Sequence, residues 1–555
     1  MSTENQAQGQ MSELPIGQEQ LQPVGIGNER ELRTGLAPQE RYVQKRRIIV
    51  VANKPYATPE PTSVNGNGGI ETWKVKRADG GLNTGLSALW GLWVSLATED
   101  PELIAIMANE GFAEALRTEK GSESFQIVNV PISTKEFDIS YSDECNGRFW
   151  PAAHDDIASI EDHPGAYAVH RKVSAEIAKK IIAAANLDDI ISIQDYHRWD
   201  LADIIREMRP DLKLAHFSHT PIPSLKTFKH LSLEEQRGIV NGMLANDMLG
   251  FHIQKYVNDF VKLAKYIHPD LQIEKENGKA RYIHFQGRKI LLGAYPISID
   301  VDVFERNAQK PEVRAMAEKI REQFAMQYAV NRETGEVTVD NTKRQTLFVD
   351  VGRLDYTKGF LEGLGDLEYA LDHDQDLQGK IHLIEVAHDS RLHVKRYRDL
   401  KQKIEAEVER INAKFRIVDP NTGVTLWEPV THISKKMEQT TELLALYIAA
   451  DVMRVIPRKD GMNLVIKEAG LVGREDMIEI LSITAGAYEE LQHAVIGVDP
   501  KNRSQIAAAI RQAHDMPRAE RIMRKSSIEN QIRENDVYKW MGRYYGDAEK
   551  HLFAA

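Results

Sequence analysis

A chain of 555 residues exceeds the size at which one hydrophobic core keeps growing, so more than one domain is expected. Its 42% apolar and 28% charged residues are the proportions of an ordinary globular protein, and the longest apolar stretch, Ala88 to Ala97, is too short to span a bilayer. A formal charge of −11 excludes a general nucleic-acid binder, and the single cysteine, Cys145, excludes an internal disulfide framework or a cysteine-rich zinc site.

Residues 1–40 carry few large apolar side chains and no sustained periodicity, which predicts a disordered extension. The extension lacks the basic-then-apolar order of a secretion signal, and with the lone cysteine this predicts a cytoplasmic protein. Arg47 to Asn53 reads as a first buried strand, ended by Pro55. Asn65 to Gly69 reads as a polar loop and not a nucleotide fingerprint, because no apolar strand leads directly into it. Gly80-Gly81-Leu82, followed by Asn83 to Leu86, opens a helix at a turn where backbone amides can approach a phosphate. Ala88 to Ala97, with Trp90 and Trp93, reads as a core helix.

Val173, Ile177 and Ile181 recur at helical spacing, and Ile190 to Ile193 then forms a strand ending at Asp195-Tyr196-His197. Leu214 to Phe217 forms another, ending at His219. After Tyr295-Pro296-Ile297 a second series of strands begins: Leu347 to Val351, Ile381 to Val386, Asp451 to Ile456 and Ile478 to Ile483. This alternation predicts an α/β protein with two Rossmann-like domains, 41–298 and 299–530, whose parallel sheets face each other across a central cleft. Asp372-His373-Asp374-Gln375-Asp376 reads as a solvated helix end, since adjacent and alternate positions on a helix do not converge on one ion.

Two motifs carry chemistry. Gly352-Arg353-Leu354-Asp355-Tyr356-Thr357-Lys358-Gly359 follows a buried strand, so its two cations leave the carboxyl end, where open α/β sheets place ligands. An Arg and a Lys on one short turn can neutralise a pyrophosphate. About a hundred residues later, Lys459-Asp460-Gly461-Met462-Asn463-Leu464-Val465-Ile466-Lys467-Glu468 offers a carboxylate and free backbone amides for sugar hydroxyls and phosphate. Glu468, one turn past Leu464, suits the two hydroxyls of a ribose. Either segment alone is an ordinary loop; the pair in this order describes a sugar-nucleotide site.

The pair resembles the trehalose-6-phosphate synthase and glucosylglycerol-phosphate synthase family of retaining glucosyltransferases, over nearly everything from about Arg46 onward. The resemblance implies a GT-B fold whose last helix, Val537 to Leu552 within residues 531–555, crosses back to the first domain. It implies that Arg353 and Lys358 hold the donor pyrophosphate where other glycosyltransferases use a metal. Asp460 and the backbone of Gly461, Met462, Asn463, Leu464 and Val465 would take glucose and phosphate, Glu468 the ribose, and Gly80 and Gly81 the donor phosphate. His219 matches the histidine near the glucose 6-hydroxyl. Acceptor binding falls to Arg391, Lys54, Tyr141, Trp150 and Asp195, with Lys54 standing where an arginine is usual. Gln194 replaces the usual histidine before Asp195, and Leu96 stands where many members have a second tryptophan. Trp199 and Gly352 look more like glucosylglycerol-phosphate synthases, whereas Arg391 and Tyr295 to Asp300 look more like trehalose-phosphate synthases.

The expected activity is transfer of glucose from UDP-, ADP- or GDP-glucose to glucose 6-phosphate, giving α,α-trehalose 6-phosphate with retention. No cofactor, metal, membrane or nucleic acid is called for, and a homo-oligomer is compatible with all of this. Glucosylglycerol-phosphate synthesis from glycerol 3-phosphate and ADP-glucose is the near alternative. A non-catalytic sugar-phosphate sensor is the alternative of another class, and a dehydrogenase is disfavoured because no strand runs into a full Gly-x-Gly-x-x-Gly turn.

Overall fold

The computed structural model describes residues 44–53, 57–64, 70–77, 86, 89, 91–98, 125–331, 333–392 and 394–554. The extension 1–40, the Asn65 to Gly69 loop, and the site candidates Lys54, Gly80 and Gly81 lie outside the described residues.

Nine strands form the first sheet: β1 (Ile48–Val51), β2 (Gly91–Thr98), β3 (Phe125–Ile132), β4 (Ile190–Gln194), β5 (Lys213–Ser218), β6 (Met248–Phe251), β7 (Gln272–Glu276), β8 (Lys279–Phe285) and β9 (Arg288–Ala294). Their spatial order is β3-β2-β1-β4-β5-β6-β9-β8-β7, parallel except where β8 runs against its two neighbours. Six strands form the second sheet: β10 (Thr346–Arg353), β11 (Ile381–His388), β12 (Val430–Ile433), β13 (Val452–Val455), β14 (Ile478–Ser482) and β15 (Ile496–Val498). This sheet is wholly parallel, in the order β12-β11-β10-β13-β14-β15.

Each sheet therefore winds outward in both directions from its own first strand. The order reverses between β1 and β4 in the first and between β10 and β13 in the second, and the crevice at such a reversal is where doubly wound sheets bind ligands. The strands beside the reversals are short apolar runs with no polar alternation, Ile48 to Val51 being wholly buried, because helices cover both faces.

Ala88 to Ala97 is not a helix. Gly91–Thr98 is strand β2, paired in parallel with β1 on one side and β3 on the other. Leu92, Trp93, Val94 and Leu96 are all buried, Trp93 edge-on to Phe125 at 5.4 Å. A strand buried on both faces shows no period of two, so its apolar run reads the same as a buried helix.

Four helices matter for the site: α1 (Ala166–Ala184), α2 (Phe360–His373), α3 (Leu464–Val472) and α4 (Val537–Leu552). Val173, Ile177 and Ile181 line the buried face of α1, as their spacing predicts. Gly359, at φ +79°, turns the chain into α2 where a Cβ would run into the Ile456 carbonyl. The acidic run at the end of α2 is bound to cations, Asp372 to Lys414 at 2.7 Å and Asp376 to Arg511 at 3.0 Å. Although α4 follows the second series of strands, it packs on the first sheet. Trp540 and Tyr544 stand edge-on to Phe217 of β5 at 5.3 and 5.0 Å, and the Tyr545 hydroxyl lies 3.0 Å from Ser192 Oγ of β4. Asp138–Phe149 forms a π-helix of twelve residues, leading directly into Trp150. No helix among the described residues is long and apolar enough to cross a membrane.

Candidate active site

At the crevice of the second sheet, β10 ends in Arg353 and the turn after it delivers Asp355 and Lys358. The loop after β13 delivers Lys459 to Asn463 beside them. Lys358 Nζ lies 2.6 Å from Asp460 Oδ2, and the same carboxylate accepts from the Gly461 amide and from Asn463 Nδ2, each at 2.9 Å. Burial works against ionisation of Asp460, but the Lys358 ammonium and these donors hold its carboxyl down at about 2. Arg353 makes no hydrogen bond or ion pair with another described residue; its guanidinium sits 5.9 Å from the centre of the Trp150 ring. Glu468 faces inward from α3 and accepts from the Tyr447 hydroxyl at 3.0 Å, while burial pushes its carboxyl up to about 7.

At the crevice of the first sheet, Asp195 leaves β4 in the left-handed region at φ +69° and accepts from the Thr220 amide at 3.1 Å. Burial raises its carboxyl to about 6. His219 leaves β5 next to it, its Nε2 2.9 Å from Gln194 Oε1. Tyr141, on the π-helix, stacks on His197 with ring centres 5.7 Å apart, and π-helical segments recur at functional sites.

The two crevices touch. Gly461 packs so closely on the His219 carbonyl that no Cβ could be accommodated, and the Tyr256 hydroxyl donates to the Asp460 carbonyl at 2.6 Å. Lys459, buried, reaches across to Asp155 at 2.7 Å and the Ile222 carbonyl at 2.8 Å. Trp150, from the first-sheet side, approaches Asp355 with its Nε1 at 3.4 Å, and Arg391 lies 5.4 Å from its ring centre. Arg391 is held by Asp355 at 3.1 Å and by the Tyr397 hydroxyl at 2.7 Å, with its backbone at φ +52°. Such a conformation in a non-glycine residue is retained where the surroundings over-determine it.

The described candidates thus gather where the two crevices meet: Arg353, Lys358, Asp460 and Glu468 on the second-sheet side, Asp195, His219, Tyr141 and Trp150 on the first, with Arg391 between them. Motif reading passed over the groups that hold them. Asp355 lies in the quoted run, only 1% exposed, and an acid set between two cations was the available signal. Tyr397, Tyr447 and Tyr256 carry no sequence signal of this kind, since each reaches the site from a separate helix. His154, whose Nδ1 donates to the Trp150 carbonyl at 2.8 Å, is driven by burial to about 4 and so stays neutral. A cavity of 520 Å³ opens behind Asp355 and Tyr356, lined by Glu161, Lys395 and Arg396 among others.

Residues 45–550 match the model of glycosyltransferase family 20. The chain belongs to that family. Among curated members and relatives, it is 29% identical over 504 residues to a bifunctional trehalose-6-phosphate synthase/phosphatase of Thermoproteus tenax, covering 89% of this chain and 62% of that protein. It is 28% identical over 469 residues to a glucosylglycerol-phosphate synthase of Pseudomonas anguilliseptica, covering 81% of this chain and 58% of that protein. The chain therefore spans about three fifths of the length of both. Of solved structures, an α,α-trehalose-phosphate synthase (UDP-forming) from Burkholderia xenovorans in complex with glucose-6-phosphate superposes with a TM-score of 0.70 at 24% identity, over 90% of this chain and 100% of that one. Two facing doubly wound sheets with α4 returning to the first make this a GT-B fold.

Proposed function

We propose that the protein is a retaining glucosyltransferase that moves glucose from a nucleotide diphosphate to glucose 6-phosphate, forming α,α-trehalose 6-phosphate. The observation that carries this reading is the pairing of Lys358 with Asp460 beside Arg353, at the reversal point of the second sheet and against His219 of the first. A pyrophosphate entering there replaces Asp460 as the partner of Lys358 and gives Arg353 a direct ionic partner. Asp460, released, accepts from glucose hydroxyls, and Glu468 accepts from the ribose. Arg391, backed by Lys54, takes the acceptor phosphate, while Tyr141, Trp150 and Asp195 hold the acceptor sugar.

In the transfer step the acceptor hydroxyl oxygen bonds to the anomeric carbon on the face from which the phosphate oxygen departs. The acceptor proton passes to that departing oxygen, and Arg353 and Lys358 stabilise the charge that grows on it. Asp460 is not cast as a covalent nucleophile: freed from Lys358, its oxygens still accept from Asn463 and the Gly461 amide and take the glucose hydroxyls. Holding both substrates across the cleft contributes on the order of 7–11 kcal/mol through orientation.

On this reading the domains divide between residues 298 and 299, the protein works in a reducing cytoplasm where Cys145 stays a thiol, and transfer needs no divalent metal. Assay after exhaustive dialysis, in excess EDTA, tests the last point: full activity is expected, and loss with rescue by magnesium or manganese refutes it.

Glycerol 3-phosphate is the competing acceptor, favoured by the similarity to the Pseudomonas anguilliseptica enzyme. The deciding experiment crosses UDP-, ADP- and GDP-glucose with glucose 6-phosphate and glycerol 3-phosphate, identifying products by mass and NMR. A nonreducing disaccharide phosphate is expected. Glucosylglycerol phosphate selects the second reading, and no transfer with any pair selects a sensor.

A further inference from the structure

Gln194 is the last residue of β4 and is 1% exposed, so both ends of its amide must find partners inside the protein. Its Nε2 lies 2.7 Å from Ser192 Oγ, and its Oε1 lies 2.9 Å from His219 Nε2. Ser192 Oγ is in turn 3.0 Å from the Tyr545 hydroxyl on α4. A continuous chain of hydrogen bonds therefore runs from the last helix, through the strand beside the reversal of the first sheet, to the imidazole of His219, the residue whose carbonyl packs on Gly461.

An amide oxygen only accepts and an amide nitrogen only donates. With Oε1 toward the ring, His219 must carry its proton on Nε2, which leaves the Nδ1 lone pair without a partner among the described residues. Phe217 at 4.6 Å, His252 at 5.4 Å and Trp540 at 6.2 Å fix the plane of the ring. Burial, with His252 and His216 close by, keeps His219 well below the ordinary imidazole range, so the ring is neutral.

We propose that Gln194 is a positioning residue that locks His219 in the Nε2–H tautomer, making Nδ1 a neutral acceptor for a hydroxyl of the donor hexose. The proposal rests on the reading of this cleft as a sugar-nucleotide site. Its consequence is a specificity: a hydroxymethyl group can donate to Nδ1, whereas the carboxylate of a hexuronic acid meets a lone pair and no cation. A side chain that cannot ionise suits this task. A carboxylate in the place of Gln194 would instead draw a second proton onto the ring, turning Nδ1 into a donor.

The test uses the full chain labelled with ¹⁵N-histidine, with the His219 signals assigned by their loss in His219→Asn. Wild-type protein is expected to hold the Nε2–H tautomer from pH 6 to pH 8, and a wild-type Nδ1–H tautomer or imidazolium at pH 7 overturns the proposal whatever any variant does. Gln194→Leu, which removes the acceptor, is expected to give a mixture of tautomers and to lower kcat/KM for the nucleotide-glucose donor about three- to tenfold. Gln194→Glu is expected to protonate His219 and lower donor kcat/KM about ten- to a hundredfold near pH 7, with recovery as pH rises. It should also narrow the preference for nucleotide-glucose over nucleotide-glucuronate. Unchanged tautomer and unchanged donor preference in both variants refute the role of Gln194. A wild-type protein with the expected tautomer that binds no nucleotide sugar refutes the reading of the cleft instead.

Discussion

At the crevice of the second sheet the polar groups are charged and already paired, Lys358 on Asp460 and Arg391 on Asp355. At the crevice of the first sheet the imidazoles are neutral, His219 and His252 being held well below the imidazole range by burial, and Asp195 is a carboxylate that burial raises to about 6 and that no lysine or arginine pairs among the described residues. The division follows from what each side must recognise. Phosphates need fixed cations, and cations kept in a half-buried cleft need a counter-ion until the phosphate arrives. Sugar hydroxyls need acceptors of modest strength, which burial can hold without any stored pair. Glu468, raised to about 7 with only the Tyr447 hydroxyl beside it, is one exception on the charged side; Arg353, which makes no direct ion pair among the described residues, is the other.

The second exception separates two substitutions with otherwise similar effects. Arg353→Ala and Lys358→Ala should each lower kcat about a hundredfold to a thousandfold, the loss of one charged donor to a developing oxyanion being about 2.7–4 kcal/mol. Arg353→Ala should leave thermal stability near wild type. Lys358→Ala strands Asp460 and should destabilise the unliganded protein by about 1–3 kcal/mol, an unsatisfied buried group costing that much. Equal melting temperatures for the two variants would show that the Lys358–Asp460 pair is not held in solution, and near-normal turnover in either would remove the donor assignment.

The contact between the two crevices can be broken directly. Gly461→Ala places a methyl group against the His219 carbonyl, a backbone atom that cannot move aside, so the Asp460 loop must withdraw. A displacement of about 1 Å in a positioned group costs roughly a hundredfold in rate. Donor binding by calorimetry should weaken in step with kcat/KM; wild-type kinetics would mean that the two sides do not need this contact.

The parts of this arrangement that lie in consecutive residues were legible in the sequence. Strand β10 and the cationic turn after it form one run, as do β13 and the Asp460 loop, and the spacing of Val537 to Leu552 marks α4. Parts that depend on the neighbours a residue meets were not legible. The run that forms strand β2 reads as a helix because burial on both faces erases the alternation by which a strand is known. The π-helix carrying Tyr141 leaves no mark, since its i→i+5 bonds are made between backbone groups and no side-chain type selects them. Asp355 was visible but its role was not, for Trp150 and Arg391 come to it from 205 and 36 residues away.

Arg391 tests the division of labour from the other side. It belongs to the second series of strands yet faces Trp150 of the first, so its charge is placed for an acceptor bound between them. Arg391→Ala should lower acceptor kcat/KM about 10- to 150-fold, a charge-assisted contact being worth about 1.5–3 kcal/mol, with donor affinity unchanged. Weakened donor binding with unchanged acceptor dependence would move Arg391 to the nucleotide side.

Glu468 should give the smallest effect and the sharpest one in pH. Its carboxyl is raised to about 7 by burial, against 4.5 for a free glutamate side chain, so the folded protein favours its neutral form. Its contribution to stability therefore falls as pH rises from the unfolded value through about 7 and is constant above. Ribose hydroxyls donate to the ionised form, so donor binding must pull this carboxyl down and release a proton wherever the free protein holds one. Donor KM should rise about tenfold between pH 8 and pH 6, since the ionised fraction of a group titrating near 7 falls by that much. Calorimetry in two buffers of different ionisation enthalpy should show proton release at pH 6 and almost none at pH 8. The pyrophosphate of a sugar nucleotide is a diester with no titration in this window, and His219 is already neutral throughout it. Glu468→Gln should bind donor more weakly at pH 8 and lose the pH dependence. Proton uptake on binding, or a pH dependence that survives in the glutamine variant, would take Glu468 away from the ribose and leave the charged crevice with cations alone for recognition.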